Sequence, residues 1–199
     1  MYFEYGEKEI AYLKKKDKAL SEIIDKTGHI YREVDNDLFS AIIHHIIGQQ
    51  ISTKAQQTIW MRLYDGMKCI NADTIINAGA ERLKSFGISS GKAGYILDCA
   101  IKIKSGEINL AYIKDMNDTD AIKELTKLKG VGIWTAEMLL LFCLMRKNIL
   151  SYDDLAIQRG LRILHHHKKI TRKLFEKYRK RYSPYCSVAS LYIWAAAAI

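Results

Sequence analysis

Three short segments carry residue types that could do chemistry. In Leu128-Lys129-Gly130-Val131-Gly132-Ile133-Trp134-Thr135-Ala136 a helix end, a glycine turn and a new helix start follow one another directly. Glycines at 130 and 132 permit positive φ and close backbone approach, exposing the N–H groups of residues 130–134 at a helix N-terminus, a nest suited to a phosphate. The same turn would also serve as a plain helix–helix connection. Further on stands a carboxylate pair, Asp153-Asp154. Ser151-Tyr152-Asp153-Asp154 ahead of an apolar run fits a capping box, in which Asp154 only satisfies helix N–H groups. Upstream lies Gly48-Gln49-Gln50-Ile51-Ser52, polar and small residues where one helical pattern ends and another begins.

Metal chemistry finds less support. Cysteines at 69, 99, 143 and 186 are too widely spread for zinc or iron–sulfur ligands and read as buried thiols. Consecutive residues on a helix point about 100° apart, so His165, His166 and His167 do not converge on one ion, and a solvated face is expected.

The elements that must position these segments are helical. Ile10, Leu13, Leu20 and Ile24 predict a first helix, Leu38 to Ile47 a second, Ala55, Ile59 and Leu63 a third. Residues 71–79 and 80–86 read as two short helices, Gly87 and Gly91 punctuate, and a helix through Ala93 to Ile101 stops at Gly106. Another begins at Asn117, then comes the apolar stretch Trp134 to Met145, then helices near 154–166, 170–181 and 187–198. With about ten helices, no alternating strand pattern, one proline and 12 glycines, the sequence predicts an all-α fold and speaks against an all-β one.

The 199 residues suffice for one domain or two small lobes with a sizeable core. No signal-peptide pattern and no apolar run of about 18 residues is present, so a cytoplasmic, non-membrane protein is expected. The charge is informative. Against 31 Lys+Arg stand 22 Asp+Glu, a net +9. Residues 159–181 hold ten Lys+Arg and one acid, Glu176, so the whole excess lies in that stretch, directly after the carboxylate pair. A polyanion is the expected partner.

Taken together, residues 128–136, Tyr152-Asp153-Asp154-Leu155-Ala156-Ile157-Gln158-Arg159-Gly160, Ile47 to Ser52, Phe86-Gly87-Ile88-Ser89 with Lys92 and Ile96, and the terminal Pro184…Leu191-Tyr192-Ile193-Trp194 resemble the helix-hairpin-helix DNA glycosylase superfamily, in particular its alkylated-base branch, 3-methyladenine DNA glycosylase II. The resemblance runs from about 38 to 196 and implies two helical lobes flanking a cleft, 38–146 and 1–37 plus 147–199, with no additional N-terminal mixed domain and the catalytic Asp at their junction. It implies base flipping from damaged duplex DNA by a monomer. Asp154, second of the acidic pair, becomes the catalytic carboxylate, stabilising positive charge on the sugar or also orienting the attacking water, and Asp153 the helix-end support. Trp134, Trp194, Met138 and Tyr192 would form the base pocket. Gly130, Val131, Gly132, Ile133 and Thr135 would meet a phosphate, and Gln49, Gln50, Ile51, Arg159, Arg162, Arg172 and Lys173 would also contact DNA, with Gln50 or Ile51 as the wedge filling the vacated stack. Carbonyls of Thr126, Leu128 and Val131 would hold Na+ or K+, and no iron–sulfur cluster or other cofactor is implied.

Members that also cut the backbone carry a nucleophilic lysine two residues after the second hairpin glycine. Trp134 stands there, so a monofunctional enzyme is expected. Met138, Lys129 and Tyr152 depart from the tyrosine and prolines common in relatives, which leaves the base range open. A glycosylase for another damaged or mismatched base, and a non-catalytic DNA-binding module, are the alternatives.

Overall fold

The computed structural model describes residues 1–198, and twelve helices account for most of them. They are α1 (Glu7–Lys16), α2 (Lys18–Thr27), α3 (Leu38–Gly48), α4 (Thr53–Met67), α5 (Ala72–Ser85), α6 (Ser90–Lys104), α7 (Leu110–Asp115), α8 (Asp118–Leu125), α9 (Ile133–Phe142), α10 (Leu155–His165), α11 (Arg172–Tyr182) and α12 (Cys186–Ala197). Among the described residues the only extended pairing is one isolated bridge, Tyr2 to Glu33. No described helix is long and apolar enough to cross a membrane.

The chain divides into two compact units, Asp35–Leu139 and Met1–Val34 with the chain from Leu140 onward. The boundaries that the resemblance implies lie at 37/38 and 146/147, and these units divide at 34/35 and, inside α9, at 139/140.

Local chemistry explains most element ends. The single first helix expected through Ile24 is two, because Asp17 takes extended geometry (φ −153°) and its side chain accepts the Leu20 N–H at 3.1 Å, capping α2. The break expected at Gly79 is real, with φ 65° inside the span of α5. Gly87 (φ 98°) and Gly106 (φ 80°) end their segments, whereas Gly91 lies within α6. The six-residue α7, capped by Asn109, is too short to show a periodicity and has no counterpart in the sequence reading.

In the first-and-last unit, α12 is buried almost all round and forms the centre. Gly160 of α10 lies against it so closely that a Cβ there would sit 2.1 Å from the Ile193 carbonyl oxygen. Only glycine permits that approach, which sets the register between α10, headed by Asp154, and α12, which carries Trp194 one residue on. The link before α10 is stitched to α12 by serines: Ser187 Oγ accepts the Ile149 N–H at 3.0 Å and donates to the Arg146 carbonyl, and Ser190 Oγ donates to the Ile149 carbonyl at 3.0 Å.

Candidate active site

In the Asp35–Leu139 unit, the turn between α8 and α9 adopts positive φ at Gly130 (83°), as the Gly-x-Gly spacing requires. Its N–H groups are not all available. Val131 is buried and its N–H closes the turn onto the Leu128 carbonyl at 3.0 Å, so the outward-facing residues are Gly132, Ile133 and Trp134, the last two 56% and 41% exposed. Thr135, expected to meet DNA, is buried. Beneath the turn lies the Tyr95 ring of α6; a Cβ on Gly130 would come within 2.8 Å of it. Lys129 extends from the turn to Asp98 at 3.3 Å.

The segment 49–51 joins α3 to α4. Gln49, expected to contact DNA, donates its carboxamide N–H to the Gly130 carbonyl at 2.5 Å and so ties this link to the hairpin turn. Gln50 takes left-handed geometry (φ 57°), and Gln50 and Ile51 are both exposed at the tip. Ser52 then caps α4 by accepting the Ala55 N–H at 3.2 Å. Trp134 faces His45 of α3 edge-on, with ring centroids 6.5 Å apart. Burial, with the charge of His44 adding to it against Asp35, brings His45 down to about 4. Met138 is buried in the same unit.

In the other unit Asp154 is the N-cap of α10. Its Oδ1 accepts the N–H groups of Ala156 at 2.8 Å and Ile157 at 2.9 Å, and the residue is 7% exposed. This corrects the expected division of labour: Asp154, not Asp153, supports the helix end, and Asp153 is exposed. The cap also sits three residues later than the capping box placed it, because α10 begins at Leu155. Capping and catalysis are compatible, since one oxygen held by two N–H groups fixes the plane of the carboxylate. Tyr152 braces the approach to Asp154: its ring meets Phe175 edge-on at 5.2 Å, its carbonyl accepts from Gln158 Nε2 at 2.7 Å, and the Arg172 guanidinium lies 4.7 Å from its centroid. Arg172, expected to contact DNA, also pairs with Glu176 at 3.4 Å and remains exposed. Arg159, Arg162 and Lys173 are exposed.

Trp194 stacks on Phe142 at 5.6 Å, and the Arg32 guanidinium covers Phe142 at 4.6 Å. Tyr192, expected in the base pocket, is packed inside α12's surroundings at 1% exposure, its hydroxyl donating to the Gly28 carbonyl at 3.1 Å and meeting Tyr5 Oη at 3.0 Å. The histidine run is a solvated face only at His166, which is exposed. His165 stacks on Tyr178 and its Nε2 lies 3.4 Å from the buried Asp17 carboxylate, which Arg181 and Tyr182 also reach, and His167 Nε2 meets Tyr178 Oη at 2.7 Å. Cys69, contrary to expectation, is exposed. Among the described residues no group of His, Cys, Asp and Glu could hold a metal ion.

Residues 43–184 match the model of the HhH-GPD superfamily of base excision DNA repair proteins. The chain belongs to that superfamily. YfjP of Bacillus subtilis (strain 168) is 28% identical to this HhH-GPD chain over 185 residues, covering 88% of it; the chain spans 64% of that relative's length. Among solved structures, the DNA-3-methyladenine glycosidase of Bacillus halodurans superposes with a TM-score of 0.88 at 30% identity, over 99% of this chain and 92% of that one. The Schizosaccharomyces pombe 3-methyladenine DNA glycosylase Mag1, solved with abasic DNA, superposes with a TM-score of 0.83 at 25% identity, over 97% and 98%. The all-α architecture is thus the HhH-GPD fold.

Proposed function

We propose that the protein is a monofunctional DNA glycosylase that excises alkylated purines, of the 3-methyladenine and 7-methylguanine type, from duplex DNA. The observation that carries this is Asp154, a carboxylate held nearly dry at the head of α10 with its plane fixed by two N–H groups. As the N-glycosidic bond stretches, positive charge develops on the deoxyribose, and a preorganised carboxylate stabilises it without reorganising. The base leaves with the electrons of the broken bond. A purine alkylated at N3 or N7 is already cationic and departs neutral, so it requires no protonation. Water then adds at the sugar carbon and gives up a proton.

Trp134 supports both halves of the reading. It occupies the position where a lysine would form an imine, and an indole cannot, while its face attracts a cationic base over a neutral one by about 0.5–2 kcal/mol. Trp194, its plane set by Phe142, is assigned the same role. Gly132, Ile133 and Trp134 present backbone donors for a phosphate, with Gln50 and Ile51 as the wedge. The carbonyls of Thr126, Leu128 and Val131 are neutral oxygens, a donor set suited to an alkali ion, and the Leu128 oxygen keeps a lone pair beyond its bond from Val131. Such an ion would add positive charge beside the phosphate donors.

The test is release of free 3-methyladenine and 7-methylguanine from methylated duplex, with borohydride present in a parallel reaction. Base release with no trapped protein–DNA complex is expected. A trapped complex would overturn the monofunctional assignment, and absence of base release would overturn the activity.

A further inference from the structure

Lys92 belongs to none of the roles above, yet it sits at the point where the two DNA-facing segments of the Asp35–Leu139 unit meet. Its ammonium, projecting from α6, donates to the Ile47 carbonyl at 2.8 Å and the Gln49 carbonyl at 2.7 Å, two oxygens that the end of α3 leaves without helical partners. Burial lowers its pKa from the ordinary lysine value, but both acceptors favour the charged form. From the same residue 49, the carboxamide continues to the Gly130 carbonyl at 2.5 Å. Lys92, Gln49 and Gly130 therefore form one chain of hydrogen bonds from α6 through the 49–51 link to the hairpin turn. Immediately beyond it, Gln50 is held at φ 57°, a left-handed conformation that is strained for a non-glycine residue and persists only where the surroundings impose it. With Ser52 pinning the far side, the exposed tip has both ends fixed.

We propose that Lys92 is a positioning residue that locks the wedge tip, Gln50-Ile51, in register with the phosphate-binding turn, so that filling the gap in the base stack is coupled to clamping the backbone beside it. The proposal rests on the glycosylase reading. Lys92 touches no reacting atom; it acts through Gln49.

Lys92→Met, which retains an unbranched apolar stem and removes the ammonium, is compared with Lys92→Arg and Gln49→Met. The duplexes carry either 7-methylguanine or 2-aminopurine beside a tetrahydrofuran abasic analogue. Lys92→Met is expected to lower kcat for base release about 10- to 100-fold and to change 2-aminopurine emission at saturation, while Kd for undamaged duplex stays within about twofold. Lys92→Arg restores most of both signals, and Gln49→Met falls between. Unchanged kcat and emission in Lys92→Met would overturn the proposal. So would a parallel loss of undamaged-duplex affinity, or failure of the arginine variant to restore function, since either marks a general packing role. If the unaltered protein released no base yet its 2-aminopurine signal depended on Lys92, the glycosylase reading would fall and the lock would stand.

Discussion

The hairpin region and the Asp154 region approach their tasks with opposite materials. At the α8–α9 turn the groups proposed to meet DNA are main-chain N–H donors, and the side chains of Gln49, Lys92 and Tyr95 contact and shape that backbone. At the head of α10 the backbone is the support, two N–H groups holding Oδ1, and the proposed catalytic group is a single side chain. A main-chain site survives most substitutions and fails by distortion; a side-chain site can be abolished with the fold intact. The sharpest way to break this contrast is Asp154→Asn. An amide oxygen can still cap α10 but carries no charge, so base release should fall by about 10²–10³-fold while duplex affinity is kept. Comparable activity in the variant, measured as single-turnover release from methylated DNA, would move the catalytic group elsewhere.

Acid probes the hairpin side. His45, beside Trp134, is brought to about 4 by burial, first, and by His44, with Asp35 opposing. The unfolded chain, with an ordinary histidine value of about 6.5, binds more protons across that window, so stability is full above pH ~6.5 and declines as pH falls toward 4, by roughly 3 kcal/mol in all. In His45→Gln the urea midpoint should depend much less on pH across this range. The remaining slope includes His44 and His165, both also lowered chiefly by burial, and near pH 4 the carboxyls of Glu9 and Asp17, which are held below their ordinary values. An unaltered slope would show that His45 is solvated. Gly130→Ala is the smaller distortion test. Positive φ and a Cβ pressed to 2.8 Å from Tyr95 should cost about 1–2 kcal/mol in stability and weaken undamaged duplex as much as damaged.

How much of this was legible in the sequence follows the same division. Chemistry fixed by local backbone rules was readable: the glycine turn at 130, the break at Gly79, the helices from α3 to α6 and from α8 onward, and the membership of the family. Long-range hydrogen bonding was not. Gln49 is polar and lies in a loop, which in sequence looks like a DNA contact; only the approach of residue 130, distant in the chain, turns it inward. Asp17 looked like one polar residue in a helix, and its partners Arg181, Tyr182 and His165 come from the other end of the chain. Burial opposes its charge, but hydrogen bonds from Arg181, Leu20 and Tyr182 outweigh that and hold the carboxyl below its ordinary value. The same network draws His165 out of solvent and engages Arg181, one of the basic residues counted toward DNA. The order of Asp153 and Asp154 at the helix start turned on one residue in the boundary of α10, a margin that composition does not resolve.

The smallest effect concerns the basic stretch, and it separates residues that adjacency in sequence had joined. Of its ten cations, Arg181 is engaged by Asp17, and Arg172 and Arg179 by Glu176. Arg172 moreover covers Tyr152, which braces the Asp154 segment. Lys173 differs. It is exposed in the first turn of α11, where the helix dipole disfavours a cation. Lys173→Glu should therefore leave the fold as stable or slightly more stable, while weakening damaged and undamaged duplex alike and reducing the salt slope by about one. Arg172→Glu should instead depress base release more than binding, because it disturbs the segment that carries Asp154. If both variants lowered affinity equally with base release per bound complex unchanged, Arg172 would belong to the DNA surface after all, and the bracing of Asp154 would rest on Phe175 and Gln158 alone.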